Sequence, residues 1–408
     1  MTTVLRPEPS SGEFRKARPT TAAAPPAPAA PRRLDHVDLL RGLVMVLMVL
    51  DHVRDYFSAV RFDPTDLTRT NLALFTTRWV THYCAPTFVF LAGASAWIAG
   101  TRRSRRELAH FLVSRGLWLI LIEVTVISFG WYLSTRWTYG ARAQVIWAIG
   151  ASMVVLAALI HLPRWTVAAV GLALVVDHNL LDGISPDAFG ALAPLWHALH
   201  VPGPLGVIPV YVTYPVLPWI GVMALGYAAG PAVFSQQADG PRRLAWAGAL
   251  LVLGFVVLRS LNGYGDPSAR LEHGSAAVLA MSFVNVTKYP PSLLFVLMTL
   301  GPALIVLALL HRTRGPIADV FVTFGRVPFL FYVAHLYLVH ALAVVAGIAQ
   351  GFPGSAIRTV YRQLPEGYGF GLPVVYLVWL GVVAALYPMC RRYAALKARS
   401  RAWWLSYL

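Results

Sequence analysis

The chain has 408 residues, of which 57% are hydrophobic and only 13% are charged. Soluble domains carry roughly a quarter charged residues, and here the apolar residues form runs long enough to span a bilayer. Composition therefore excludes a water-soluble globular protein and predicts a polytopic α-helical membrane protein. The net charge of +16 does not indicate nucleic-acid binding, because the basic residues fall at the predicted helix ends. Cys84 and Cys390 each lie in an apolar run, which leaves no disulfide framework and no CxxC pair.

The N-terminal segment 1–36 contains six Lys or Arg residues and a PPAPAAP stretch. It has no apolar segment of the kind found in signal peptides, so we predict a disordered tail. A single transmembrane domain is predicted at 37–392, followed by a second tail at 393–408. Both tails are expected in the cytoplasm.

The apolar runs predict an all-α bundle of about ten membrane-spanning helices, with eleven as the upper estimate. The predicted spans are 37–57, 76–100, 109–133, 143–161, 164–181, 213–232, 243–260, 290–311, 320–347 and 372–390.

The distribution of basic residues predicts the orientation of the bundle. With the N-terminal tail inside, the cytoplasmic segments hold 20 Lys and Arg residues and the outer segments hold 10. Because Lys and Arg accumulate on cytoplasmic segments, the long connections should face the extracytoplasmic side. The RRSRR loop at 102–106 has no interleaved aromatic residues, so it is predicted to contact anionic membrane lipids and no nucleic acid.

Ionisable residues cluster at the outer edge of the first span, in MVLDHVRDYF. Asp51 and Asp55 are one helical turn apart, with His52 and Arg54 between them. An ionisable residue at membrane depth costs at least a few kcal/mol and usually faces a cavity or a partner. This segment is therefore a candidate catalytic site.

The second span adds Trp79 and His82, which lie close together on one helical face. A lone histidine at this depth is often only a packing residue. Beside the cluster in the first span, His82 is a candidate base, and Pro86 one turn later would open the cavity near it. Sequence reasoning therefore favours His82 over His52 as the base but leaves the choice open, with Asp51 or Asp55 expected to orient the imidazole.

Further polar residues are candidates for substrate binding. Glu123 lies mid-span with no basic residue within a helical turn, so it either lines a cavity or forms a hydrogen bond to another helix. His335 also lies near mid-membrane and is a candidate cavity-lining group. In the outer segment after the fifth span, His178, Asn179 and Asp182 are candidate acceptor contacts.

The sequence contains no metal-binding or nucleotide-binding motif that would indicate a different site. His197 and His200 have the spacing of a ligand pair, but no third ligand follows at a recognised spacing, so no metal is predicted. The chain also lacks a P-loop, GxGxxG, GxSxG or HExxH motif in a supporting context.

At the inner edge of the first span, Asp38 and Arg41 lie on one helical face. They form either a local ion pair that closes the start of the helix or a site for an anionic ligand arriving from the cytoplasm.

Five segments together indicate a family. They are LDHVDLLRGLVMVLMVLDHVRDYF, THYCAPTFVFLAG, YPVLPWIGVMALGY, KYPPSLLFVLMTLGP and FGRVPFLFYVAHLYLVH. Over about residues 34 to 390 the chain resembles the bacterial relatives of heparan-α-glucosaminide N-acetyltransferase, which are transmembrane acyltransferases.

The resemblance implies transfer of an acetyl group from cytoplasmic acetyl-CoA to the amine or hydroxyl of an extracytoplasmic glycan or small molecule. The implied location is the bacterial inner membrane, with a homodimer as one possible assembly. Candidates for holding the CoA phosphates are Arg41 with Asp38, Arg102, Arg103 and Arg326.

The resemblance does not carry over a catalytic histidine. The animal enzyme has an Asn important to catalysis where His52 stands and an Asp where His82 stands. Its active-site histidine lies in the connection between these spans, whereas residues 53–81 here contain no histidine. Direct transfer is therefore favoured slightly over a route through an acetyl-histidine.

The alternative function is a proton-coupled secondary transporter of a small polar solute. In it, Glu123, His335 and the aspartates of the first span would form a proton relay. Corresponding halves of the chain show no paired Gly/Pro-broken helices, which weakens this alternative.

Overall fold

The computed structural model describes residues 1–4, 35–134, 140–206, 208–235, 237, 239–359, 363–400, 402 and 405. Most of the predicted tail at 1–36 lies outside these residues. The described residues from Asp35 onward belong to one compact unit, Leu34–Leu408. All helices and strands below belong to the Leu34–Leu408 unit.

The first half of the bundle contains seven helices among the described residues. They are α1 (Asp35–Phe57), α2 (Leu72–Trp79), α3 (Cys84–Gly100), α4 (Arg105–Ile122), α5 (Ser128–Tyr132), α6 (Val145–Leu159) and α7 (Arg164–Val176). A 3-10 turn at Val80–Tyr83 joins α2 to α3, and a π-helical segment at Glu123–Ile127 joins α4 to α5. Side chains define two of the starts: Asn71 caps α2, and Ser104 forms a capping box with Glu107 at α4.

The second half contains nine further helices in the described part of the chain. They are α8 (Ala193–Leu199), α9 (Leu217–Val233), α10 (Asp239–Leu261), α11 (Ala276–Val284), α12 (Leu293–Leu310), α13 (Pro316–Arg326), α14 (Pro328–Ala349), α15 (Gly354–Ile357) and α16 (Leu372–Arg399). Because α16 runs to Arg399, residues 393–399 of the predicted C-terminal tail are helical.

The all-α membrane bundle predicted from composition is confirmed. Three helices, α6, α7 and α9, are apolar but shorter than 18 residues. α1 is 23 residues long and carries the charged residues noted above. Within the described part of the chain, six segments are long and apolar enough to cross a membrane, namely Leu72–Gly100, Arg105–Tyr132, Asp239–Leu261, Leu293–Leu310, Pro328–Ala349 and Leu372–Arg399.

Two predicted spans are interrupted or end early in the structure. The span at 320–347 is two helices, because the chain leaves helical geometry at Val327 (φ −132°, ψ 48°) and Pro328 starts α14. A proline is accommodated in the first turn of a helix but not in its interior. The span at 164–181 ends at Val176, where a 3-10 turn at His178–Leu181 begins.

A small sheet that the sequence did not predict lies in the connections. Strands β1 (Ala141–Ala143) and β3 (Val210–Val212) pair in parallel, and β2 (Gly203–Pro204) pairs antiparallel with β3. The sheet joins the connection before α6 to the connection before α9.

Contacts between helix ends define two ends of the bundle. At the end that carries the loop 101–104, the Nε2 atom of His36 lies 3.0 Å from the carbonyl oxygen of Val233, and Arg105 donates to the carbonyl of His161 at 2.7 Å. We call this the basic end. At the opposite end, Ser58 bridges to Phe370. We call that the distal end.

Helix α1 packs at the centre of the bundle, against α3, α12, α13, α14 and α16. Glycines permit its closest approach to α13. A Cβ atom at Gly42 would overlap the carbonyl of Phe321, and one at Gly325 would overlap the carbonyl of Asp38. Small residues at such crossings let helix backbones approach closely in membranes. The central position of α1 brings the polar residues of its distal half next to several other helices.

Candidate active site

An ion-pair cluster lies at the distal end of α1. Asp51 accepts hydrogen bonds from Arg78 at 2.6 Å and from the Thr81 hydroxyl at 2.9 Å, and Arg54 lies 3.0 Å away. Arg54 also pairs with Asp55. The aspartate and arginine side chains of this cluster are 3–18% exposed. The cluster joins α1 to α2 and to the 3-10 turn that carries His82.

His52 contacts a histidine that is distant in sequence. Its Nδ1 atom lies 2.7 Å from Nε2 of His335, and the planes of the two rings are 17° apart with centroids separated by 4.9 Å. Nδ1 of His335 lies 2.9 Å from the carbonyl oxygen of Phe331. The helix α14 thus places His335 directly against α1.

These contacts define the tautomers of both rings. A carbonyl oxygen only accepts, so Nδ1 of His335 carries its proton and the Nε2 atom of neutral His335 accepts. Nδ1 of His52 then donates to that atom, which leaves a lone pair on Nε2 of His52. The expectation that Asp51 or Asp55 orients the imidazole is wrong for His52, since His335 occupies that position.

His82 has a different environment. It is 3% exposed and packs against Phe295, with ring centroids 5.4 Å apart. Its Nδ1 atom is buried and has no hydrogen-bond partner among the described residues. Both His52 and His82 lie within electrostatic range of Asp51. The structure therefore brings the two candidate bases to one region. A hydrogen bond orients His52, whereas Nδ1 of His82 has none among the described residues.

Sequence reasoning missed two cations of this region, Arg78 and Lys288. Arg78 stood out only as a basic residue at the edge of a span, and its ion pair with Asp51 links residues 27 positions apart. Lys288 lies in the turn before α12, is 9% exposed and acts electrostatically on Asp51, His52 and His82. The signal for Lys288 was its position directly before YPP at the outer edge of a span.

Glu123 is fully buried and is bound to the start of a neighbouring helix. Its Oε2 atom accepts a hydrogen bond from the backbone N–H of Trp147 at 3.0 Å, in the first turn of α6. A carboxylate at a helix N-terminus satisfies backbone donors and interacts favourably with the helix dipole. The geometry therefore favours the interhelical hydrogen bond over the cavity-lining role that was also considered.

The segment after α7 forms a polar network that ties it to α12. Asn179 accepts a hydrogen bond from the backbone N–H of Leu293 at 2.9 Å and donates to Asp182 at 2.8 Å. His200 lies 3.1 Å from the other Asp182 oxygen, and its ring contacts that of His178 at 5.9 Å. Burial lowers the pKa of both His178 and His200, although Asp182 opposes this effect. Both are therefore neutral at pH 7.

Trp79 faces an apolar groove. The groove has a volume of about 310 Å³ and lies between α2 and α11, where Leu72, Phe75 and Met281 also line it. The Trp79 ring packs edge-on against Tyr83 at 5.3 Å.

The basic end holds the residues predicted to contact CoA, in two separate groups. Arg41 donates to Asp38 at 2.9 Å and to the carbonyl of Gly325 at 3.1 Å, and Arg326 donates to Asp35 at 2.9 Å. The pair of Asp38 and Arg41 is the local ion pair that their spacing predicted, and the bonds to Gly325 and Asp35 join α1 to α13.

Arg102 and Arg103 form the second group, in the exposed loop after α3. The Arg103 guanidinium lies 4.8 Å from the ring centroid of Phe111 and donates to the carbonyl of Ala99. Among the described residues, no hydrogen bond or ion pair joins Arg102 or Arg103 to Arg41 or Arg326.

Comparison with known proteins gives one family. The family model described as heparan-alpha-glucosaminide N-acetyltransferase, catalytic, matches residues 33–262, more than half of the chain. No curated protein matches the chain. The matched segment contains His52, Arg78 and His82 but ends before Lys288 and His335. The chain belongs to the heparan-alpha-glucosaminide N-acetyltransferase family, and the resemblance seen in its sequence is confirmed.

Proposed function

We propose that the protein transfers an acetyl group from cytoplasmic acetyl-CoA to an amine or hydroxyl group of an extracytoplasmic sugar or other small molecule. Family membership supports a membrane acetyltransferase. The hydrogen-bonded pair of His52 and His335 is the observation that carries the mechanism, because it leaves a basic imidazole nitrogen beside a charged cluster.

His52 acts as the general base in this proposal. Its Nε2 atom accepts the proton of the acceptor amine or hydroxyl as that group attacks. His335 holds the ring in place through Nδ1, and the nearby Asp51 stabilises the imidazolium that forms. Acetyl-CoA, when bound, supplies the thioester carbonyl. In direct transfer the Nε2 lone pair of His52 only removes the proton of the acceptor. No acetylated side chain is needed, which makes this route simpler than one through an acetyl-histidine.

The exposed arginines of the basic end fit the CoA phosphates. Arg102 and Arg103 lie in an exposed loop and form no ion pair among the described residues, and a guanidinium binds phosphate in a bidentate manner. Arg41 and Arg326 fit less well, because their carboxylate partners would first have to be displaced. The proposal therefore places the basic end in the cytoplasm of a bacterial cell and the phosphates at the loop after α3.

The purified protein in detergent provides the test. It is incubated with acetyl-CoA labelled in the acetyl group and with glucosamine, N-acetylglucosamine or methyl glucoside. We expect labelled product and stoichiometric release of CoA with glucosamine or methyl glucoside. N-Acetylglucosamine, whose amine is blocked, distinguishes amine from hydroxyl transfer. The proposal would be contradicted if none of the three acceptors were labelled and acetyl-CoA were not turned over. The transporter alternative would then be tested by solute uptake.

A further inference from the structure

Lys288 is a largely buried residue whose ammonium group has no ion pair among the described residues. The residue is 9% exposed and lies in a turn closed by a bridge between Lys288 and Pro291. In the described part of the chain no carboxylate lies within 4.0 Å of Nζ. Nζ lies 5.2 Å from the ring centroid of Tyr289. A cation on a residue with so little exposure and no ion pair is costly and therefore calls for a functional explanation.

A carboxylate from another connection, Asp266, binds the turn of Lys288 without forming an ion pair with it. Asp266 accepts hydrogen bonds from the backbone N–H of Thr287 at 2.8 Å and from the Ser292 hydroxyl at 2.6 Å. These bonds hold the turn on both sides of Lys288. The lysine is thus positioned by its backbone, while its ammonium group stays available.

Three cations act on the site around His52, namely Arg54, Arg78 and Lys288. Asp51 and Asp55 are paired with the two arginines. Lys288 has no ion pair within 4.0 Å among the described residues. The two arginines are already bound to aspartates, which makes Lys288 the cation available to a new negative charge.

We infer that Lys288 stabilises the negative charge that develops on the thioester oxygen during acetyl transfer, an inference that rests on the proposed function. Attack by the acceptor forms a bond to the carbonyl carbon and moves an electron pair onto its oxygen. That pair then re-forms the carbonyl as the carbon–sulfur bond breaks, CoA leaves as the thiolate, and His52 holds the acceptor proton. A cation fixed in a poorly hydrated site stabilises such an oxyanion more strongly than one in water.

Kinetics of Lys288→Met, Lys288→Arg and Arg69→Met test the inference. Arg69 is an exposed cation of the connection at 58–71 and serves as the control. Lys288→Met should lower kcat about 100-fold, as the loss of one oxyanion partner does. The acceptor KM should stay unchanged for both glucosamine and glucosamine 6-sulfate. Lys288→Arg should restore most of kcat, and Arg69→Met should match wild type.

Three results would overturn the inference. The first is an unchanged kcat in Lys288→Met. The second is a higher KM for glucosamine 6-sulfate as the sole effect of the substitution. The third is a Tm of Lys288→Met well below that of wild type, which would indicate a structural role. Removing an unpaired buried charge should leave Tm equal or higher.

A measurement without turnover separates this inference from the proposed function. Sulfate should raise the Tm of wild type more than that of Lys288→Met, because the unpaired ammonium binds a small anion. Equal shifts in the two proteins would exclude an anion site at Lys288, even if the wild type transfers acetyl groups. Unequal shifts without any acetyl transfer would retain the anion site and contradict the proposed function.

Discussion

Replacing His52 with Ala is expected to lower kcat for acetyl transfer about 1000-fold, within the range that a positioned general base contributes. The reason is the loss of the oriented Nε2 lone pair that His335 holds in place. His82→Ala should retain more activity, because Nδ1 of His82 has no orienting hydrogen bond in the described part of the chain. His273→Ala, at an exposed site in an outer connection, is the matched control and should equal wild type.

The double variant His52→Ala/His335→Ala tests whether the two histidines work as a unit. Residues that act together give strongly non-additive losses. We therefore expect the double variant to be no slower than His52→Ala alone, while His335→Ala has a smaller effect. If His82→Ala abolished transfer and His52→Ala kept near wild-type turnover, His82 would be the base.

Breaking the ion pair between Asp51 and Arg78 should have the largest effect on stability. Arg78→Met leaves the Asp51 carboxylate with one guanidinium fewer in a site where both side chains are no more than 14% exposed. Removing one partner of a buried pair costs about 3–5 kcal/mol in the free energy of unfolding. A fall in Tm of the purified protein in mild detergent would report this loss.

Two further variants sharpen the stability test. Asp51→Asn/Arg78→Met removes both charges and should recover part of the lost Tm, since no uncompensated carboxylate remains at Asp51. Arg243→Met breaks an exposed ion pair with Asp239 on α10 and should leave Tm unchanged. Equal Tm values for Arg78→Met and Arg243→Met would show that the buried pair contributes no more than a surface pair.

The sequence predicted the helices well because long apolar runs and basic loops are local signals. It placed His52 and His82 near one another because consecutive antiparallel spans share their outer ends. The contact between His52 and His335 joins residues 283 positions apart, and no local pattern encodes the packing of α14 against α1. For the same reason, sequence reasoning assigned the orientation of His52 to an aspartate of its own helix.

The break at Val327 has a local signal in Pro328, whereas the partner of Glu123 cannot be read from a local pattern. The break follows from Pro328 within a run that otherwise reads as one apolar helix. Glu123 finds its donor at the start of α6, and the sequence indicated only that it needed a partner on another helix. At the basic end the local signal was sufficient, since Asp38 and Arg41 form the ion pair that their spacing predicted.

In the proposed reaction, acetyl-CoA and acceptor are used from opposite sides of the membrane, with His52 as the base. Inside-out vesicles from expressing cells test it when acetyl-labelled acetyl-CoA, which does not cross membranes, is added outside and glucosamine is enclosed in the lumen. Vesicles with the wild-type protein should accumulate labelled product in the lumen, and vesicles with His52→Ala should not. Labelling that requires both substrates on the same side, or equal labelling in the two kinds of vesicle, would contradict the account.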